Sequence, residues 1–150
     1  MLTLLDRQLT CSIVGYHLTG FVCKETGMVA KVLVVEDDPR VAGLETEVLQ
    51  TAGFLPVNVV SGEEALRKLV AGTYDLVILN MKLAGRMSGL DVFRWMEKNL
   101  EVLPKVIFAT GLMSEAEEAA VARAGCPVLR KPFRVEEFLR LVQQTLASQG

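Results

Sequence analysis

Leu76-Val77-Ile78-Leu79 is apolar at every position, with Asp75 before it and Asn80 after it. A strand with one wet face alternates apolar and polar residues, whereas a parallel strand covered on both faces does not. Residues 75–80 therefore predict a buried parallel strand, and the rest of the chain has to supply helices for both faces of its sheet. Asn80 stands at the C-terminal end of that strand, where open α/β sheets place their chemistry.

The chain from Met28 onward has this form. Residues 29–35 are mostly apolar and β-branched, broken only by Lys31, and stop at Glu36-Asp37-Asp38. Asp38-Pro39 predicts a helix start, with Asp38 as N-cap and Pro39 at the first helical position. That helix carries Val41, Leu44, Val48 and Leu49 as its apolar face and ends at Gly53. Residues 54–60 make a second strand. Ser61 followed by Glu64 fits a capping box for a short helix closing at Gly72. After residues 75–80 come a loop with Gly85, Ser88 and Gly89, and a helix carrying Leu90, Val92, Phe93 and Met96, in which Phe93, Trp95 and Met96 read as core or boundary residues and not as a cofactor box. Pro104 opens a fourth strand, Val106-Ile107-Phe108-Ala109, ending at Thr110-Gly111. Ser114 with Glu117 is a second capping box, and Gly125 stops that helix. A short strand, Val128-Leu129, leads to Arg130-Lys131-Pro132, and a last helix buries Phe138, Leu141, Val142 and Leu146. Strand and helix alternate throughout, so the expected fold is α/β: one three-layer, doubly wound (βα)5 domain on a parallel five-stranded sheet with right-handed crossovers.

The totals suit that fold and narrow its use. A chain of 150 residues with 51% apolar residues can fill one core. Sixteen basic against 18 acidic residues give a net charge of −2, which argues against direct nucleic-acid binding. Cys11, Cys23 and Cys126 have no metal-ligand spacing and His17 has no cysteine partner, so free thiols in a reducing cytoplasm are expected. No apolar run reaches the length of a membrane span. Residues 1–28 show neither helical nor strand periodicity, and Asp6 spoils a secretory signal. They read as a poorly ordered or loosely docked extension, with residues 1–27 alternatively lying upstream of a translation start at Met28. Residues 29–148 make the domain.

Several polar groups follow apolar strands: Glu36, Asp37 and Asp38, then Asn80, Thr110 and Lys131. A phosphate cradle would need glycines and hydroxyls in the first turn. Glu-Asp-Asp would repel a free phosphate and suits a hard divalent cation, especially Mg²⁺, which takes one or two carboxylates and keeps waters. Asp38 is accounted for by helix capping alone. Glu115, Glu117 and Glu118 read as a solvated first turn that complements a helix dipole.

With these motifs in view, residues 29–148 resemble the receiver domain of response regulators, the phosphoacceptor module of two-component signalling. The resemblance is carried by Val-Leu-Val-Val-Glu-Asp-Asp, Asp-Leu-Val-Ile-Leu-Asn, Gly-Arg-Met-Ser-Gly, Phe-Ala-Thr-Gly and Arg-Lys-Pro-Phe. It implies a flavodoxin-like strand order, 2-1-3-4-5. It also implies that Glu36, Asp37 and the backbone carbonyl of Lys82 hold Mg²⁺, that Thr110 bonds a phosphoryl group and that Lys131 neutralises it. Asn80 falls where the family carries its phosphorylated aspartate.

A carboxamide is neutral, its nitrogen lone pair is delocalised, and it is a very poor nucleophile. Phosphoryl transfer to Asn80 is therefore not expected. At an effective dielectric of ~20, two unit charges ~4 Å apart interact by roughly 4 kcal/mol. An amide in place of one carboxylate thus relieves repulsion in a metal-free pocket and weakens Mg²⁺ binding. Two further departures are Val128, where receivers commonly place a switch aromatic, and Ala84, where many have proline and where a looser loop is expected. The resulting expectation is a non-enzymatic, stand-alone, receiver-like module that works in the cytoplasm by protein–protein contact. Its partners would be a histidine kinase, a phosphotransfer protein or a downstream target, met through the fourth helix, fifth strand and fifth helix. The alternative is an active phosphoreceiver that uses Asp37 or Asp38. A phosphoryl-transfer enzyme of the haloacid-dehalogenase type would need an aspartate nucleophile and a second aspartate two residues on, and Asn80-Met81-Lys82 lacks both.

Overall fold

A computed structural model describes residues 29–148. The expectations for residues 1–28, including Cys11, His17 and Cys23, lie outside the described residues. Five parallel strands lie in the order β2-β1-β3-β4-β5. The elements are β1 (Lys31–Val35), α1 (Pro39–Thr51), β2 (Leu55–Val59), α2 (Gly62–Ala71), β3 (Leu76–Asn80), α3 (Gly89–Asn99), β4 (Lys105–Thr110), α4 (Glu115–Ala124), β5 (Val128–Arg130) and α5 (Val135–Ala147). This is the doubly wound, flavodoxin-like arrangement that the alternation of elements and the resemblance predict.

The two-residue period of the inner strands splits the core into two layers. Val32 and Val34 of β1, Leu76 and Ile78 of β3, and Ile107 and Ala109 of β4 pack with Leu49, Phe138 and Val142 from α1 and α5. The intervening residues, Leu33, Val35, Val77, Leu79, Val106 and Phe108, pack with Ala65, Leu69, Val92, Phe93, Met96 and Val121 from α2, α3 and α4. Phe93 meets Phe108 edge to face at 5.5 Å between centroids, a geometry that adds to simple area burial. Phe93 and Met96 are buried in this layer and Trp95 packs at its margin.

Several details depart from the sequence reading. The inward row of α1 is Ala42, Glu45 and Leu49, while Leu44 is 42% exposed. The helix is therefore rotated from the expected face and buries a carboxylate. Ser61 caps α2 through the Glu64 N–H at 3.2 Å, but Glu64 accepts from the Val60 N–H and not from Ser61, so the reciprocal box is displaced by one residue. A full box stands at Ser88, within the glycine-containing stretch that predicts a loop: Ser88 Oγ accepts from Asp91 N–H and Asp91 accepts from Ser88 N–H. In α5 the buried row is Phe138, Val142 and Thr145, with Leu141 and Leu146 at its margins. Thr145 fits the core because its hydroxyl donates to the Leu141 carbonyl at 2.6 Å.

The C-terminal edge of the sheet is pinned one residue beyond the strands. Glu36 N–H donates to Val59 O at 3.0 Å, Met81 N–H to Ala109 O at 3.0 Å and Lys131 N–H to Thr110 O at 2.8 Å. The ladder thus fixes the backbone at or beside each polar strand end. Gly89 starts α3 hard against the end of β3, where an added Cβ would collide with the Asn80 carbonyl.

Candidate functional site

Four strand-end groups converge at this edge. Glu36 follows β1 and is 2% exposed, Asp37 lies beside it, Asn80 closes β3 and Lys131 follows β5. Lys131 Nζ sits 2.5 Å from Glu36 Oε2 and 3.3 Å from Asn80 Oδ1. Asn80 Nδ2 donates toward Glu36 Oε1 at 3.1 Å, Asp37 Oδ1 at 3.2 Å and the Lys82 carbonyl at 2.7 Å. All the groups expected to surround a cation, and the lysine, therefore meet on the side chain of Asn80.

That meeting point tests whether the residues fit a divalent ion. Two carboxylates and a carbonyl are the right kind of oxygen for one. The space among them, however, is taken by a hydrogen-bond donor, the amide NH₂. Asp37 Oδ2 is also engaged, accepting the Ala84 N–H at 3.0 Å. As arranged, these residues do not fit a metal, and among the described residues no group of three or more His, Cys, Asp or Glu side chains is placed to hold one.

The bond from Ala84 corrects the expectation of a looser loop. A proline there would have no N–H to give. Alanine ties the loop to Asp37, Ala84 makes an isolated parallel bridge with Ser61, and Gly85 takes the turn at φ +97°. Thr110 is 2% exposed at the expected edge, but its hydroxyl donates to the Leu112 carbonyl at 2.8 Å and so serves its own loop. Val128 is half-buried beside Phe108 of β4. Asp38 caps α1 through Arg40 N–H at 2.9 Å, and that bond holds its carboxyl below the usual range. Cys126 is a free thiol whose pKa is raised by burial and then by Glu97, which disfavours the thiolate form.

One further group near this site, Glu45 of α1, has no signal in the sequence. Glu45 is 1% exposed and neither carboxylate oxygen has a hydrogen-bond partner. Burial, then the charge of Glu36, raises its pKa to about 8, with Lys131 opposing. A glutamate in the middle of an amphipathic helix carries no local mark of burial, so only the position of α1 on the sheet reveals it.

A parallel sheet in this order, with acidic residues after β1 and a lysine after β5, is the arrangement that the resemblance to receiver domains implies. Residues 32–143 match the response regulator receiver domain family, and the chain belongs to that family. It is 27% identical over 122 residues to the polar-differentiation response regulator DivK of Brucella ovis, covering 79% of this chain and 98% of DivK. It is 24% identical over 120 residues to the nitrogen assimilation regulatory protein NtrX of Azorhizobium caulinodans, but there it spans only 26% of the relative's length. Among solved structures, the signal receiver domain of a putative LuxO repressor protein from Vibrio parahaemolyticus superposes with a TM-score of 0.73 at 28% identity, covering 79% of this chain and 91% of that one. A CheY-like receiver from Methanospirillum hungatei gives 0.74 at 22% identity, covering 79% and 94%, and shares the fold. Receiver domains are signalling domains and not classical enzymes, and they typically bind Mg²⁺ at their acidic site. Among the described residues no helix is long and apolar enough to cross a membrane.

Proposed function

We propose that this chain is a receiver-like module of two-component signalling that acts by protein–protein contact and is not phosphorylated at Asn80. The observation that carries the proposal is the state of the Asn80 side chain. Its nitrogen is committed to Glu36, Asp37 and the Lys82 carbonyl, and its oxygen accepts from Lys131. Neither atom is a free nucleophile, and an amide is a poor one in any case. The neighbouring acids are occupied as well. Asp37 accepts from Asn80 and Ala84, and Asp38 caps α1. This weakens the alternative in which either of them takes the phosphoryl group.

The stand-alone mode of action is supported by the match to DivK, itself a response regulator, over 98% of its length. A histidine kinase, a phosphotransfer protein or a downstream target in the cytoplasm is the proposed partner, with α4, β5 and α5 as the contact surface. The domain is taken as residues 29–148, with residues 1–28 outside it. Net charge of −2 speaks against direct nucleic-acid binding. The test is incubation with Mg²⁺ and acetyl phosphate followed by intact-mass measurement. The expected result is an unmodified chain. A stoichiometric phosphoryl adduct that disappears in Asp37→Asn or Asp38→Asn would establish the alternative.

A further inference from the structure

The oxygens that would face a cation at the end of this sheet already face a nitrogen. Asn80 Nδ2 lies within 3.2 Å of Glu36 Oε1, Asp37 Oδ1 and the Lys82 carbonyl. The second oxygen of each acid is also engaged, Glu36 Oε2 by Lys131 at 2.5 Å and Asp37 Oδ2 by the Ala84 N–H at 3.0 Å. Every carboxylate oxygen of the pair therefore has a donor from within the chain. An amide presents two N–H bonds and can share them among close acceptors without adding a charge. Its orientation is fixed from both sides. Turned over, it would set its oxygen against three oxygens and its N–H bonds against the Lys131 ammonium.

From this geometry we infer that the Asn80 carboxamide, helped by the Ala84 N–H, stands in for the divalent cation, so that the pocket is complete without metal and refuses Mg²⁺. The inference rests on the receiver reading of the site but goes further. A receiver with an inert acceptor could still bind Mg²⁺ through Glu36, Asp37 and an amide oxygen. Here the amide is turned the other way and its nitrogen fills the gap.

Ligand count and available space give opposite forecasts for one substitution. Asn80→Ala removes an oxygen that could serve as a ligand, so ligand count predicts weaker metal binding. On the present geometry it removes the donor that fills the site, and Mg²⁺ binding appears where there was none.

Thermal unfolding of the full chain with and without MgCl₂ separates the two. The wild-type midpoint is expected to stay within about 1 °C at about 10 mM MgCl₂, while Asn80→Ala and Asn80→Asp rise by several degrees, as a site with Kd near about 1 mM requires. Asp37→Asn in the Asn80→Ala background abolishes the rise and locates the ion. Asn80→Ser provides a second small side chain if the alanine variant folds poorly, and Mn²⁺ paramagnetic resonance reads bound metal directly. A wild-type shift equal to that of Asn80→Asp overturns the inference. So does a small-residue variant that folds and binds no better than wild type. A wild type that binds Mg²⁺ yet gains no phosphoryl group overturns this inference and leaves the functional reading standing. A phosphoryl adduct on side chain 80 overturns both.

Discussion

Glu45 has the pattern of a group whose protonation is linked to folding. Its carboxyl is buried in α1 without a hydrogen bond, and its pKa rises from 4.5 to about 8 because burial, and then Glu36, disfavour the charged form. The folded state therefore holds a proton that the unfolded state releases above pH 4.5. Its stabilising contribution is complete below that value and is lost as pH rises through about 8. By linkage the loss across that window reaches roughly 5 kcal/mol at most. Urea unfolding at pH 5 and pH 8.5 should show wild type markedly weaker at the higher pH, and Glu45→Gln should flatten the difference. Parallel profiles for the two proteins would count against it. Hydrophobic periodicity did not reveal this residue. Val41, Leu44, Val48 and Leu49 form a plausible apolar stripe in sequence, but the sheet receives Ala42, Glu45 and Leu49. A helix face is settled by what it packs on, and one carboxylate in an otherwise apolar row leaves the pattern almost unchanged.

Local chemistry accounts for most of the elements, and α4 shows what it can do alone. Only Val121 of that helix is fully buried. Its ends are well made, with Ser114 and Glu117 in a reciprocal box and Gly125 at the C-cap. Propensity and capping thus carry what packing supplies in α3, which buries Leu90, Val92, Phe93 and Met96. Native-state hydrogen exchange should find α4 amides less protected than those of α3. Ser114→Ala should cost about 1 kcal/mol and widen that gap. Equal protection in the two helices would show that α4 is held by contacts other than Val121. The caps at Asp38, Ser61 and Ser114 were legible because a side-chain oxygen before an apolar pattern has few other uses. The cap at Ser88 was not, because the expected third-position Glu or Gln is Asp91, and Ser88 sits among glycines that read as a loop.

At the scale of the molecule, the sheet could be read from sequence because continuous apolar runs must be covered on both faces. Which strand ends matter was legible for the same reason. What those ends do to one another was not. The direction of the Asn80 amide depends on Glu36, 44 residues before it, and Lys131, 51 residues after it. The tie from Ala84 to Asp37 likewise crosses 47 residues. Together these contacts leave no obvious way to switch. Lys131 is paired with Glu36, Thr110 donates to Leu112, and Val128 is too short to transmit a large side-chain movement from the threonine. A ligand can shift a conformational equilibrium only by binding one state better than another. A pocket already satisfied from within offers a phosphoryl mimic little to bind. Backbone amide spectra of the wild type should therefore remain unchanged on addition of Mg²⁺ and beryllium fluoride. In Asn80→Asp, which restores a carboxylate, the same additions should move the resonances of Thr110, Lys131 and the start of α4. Shifts of comparable extent in the wild type would mean that the pocket opens readily and that the amide does not hold it in one state.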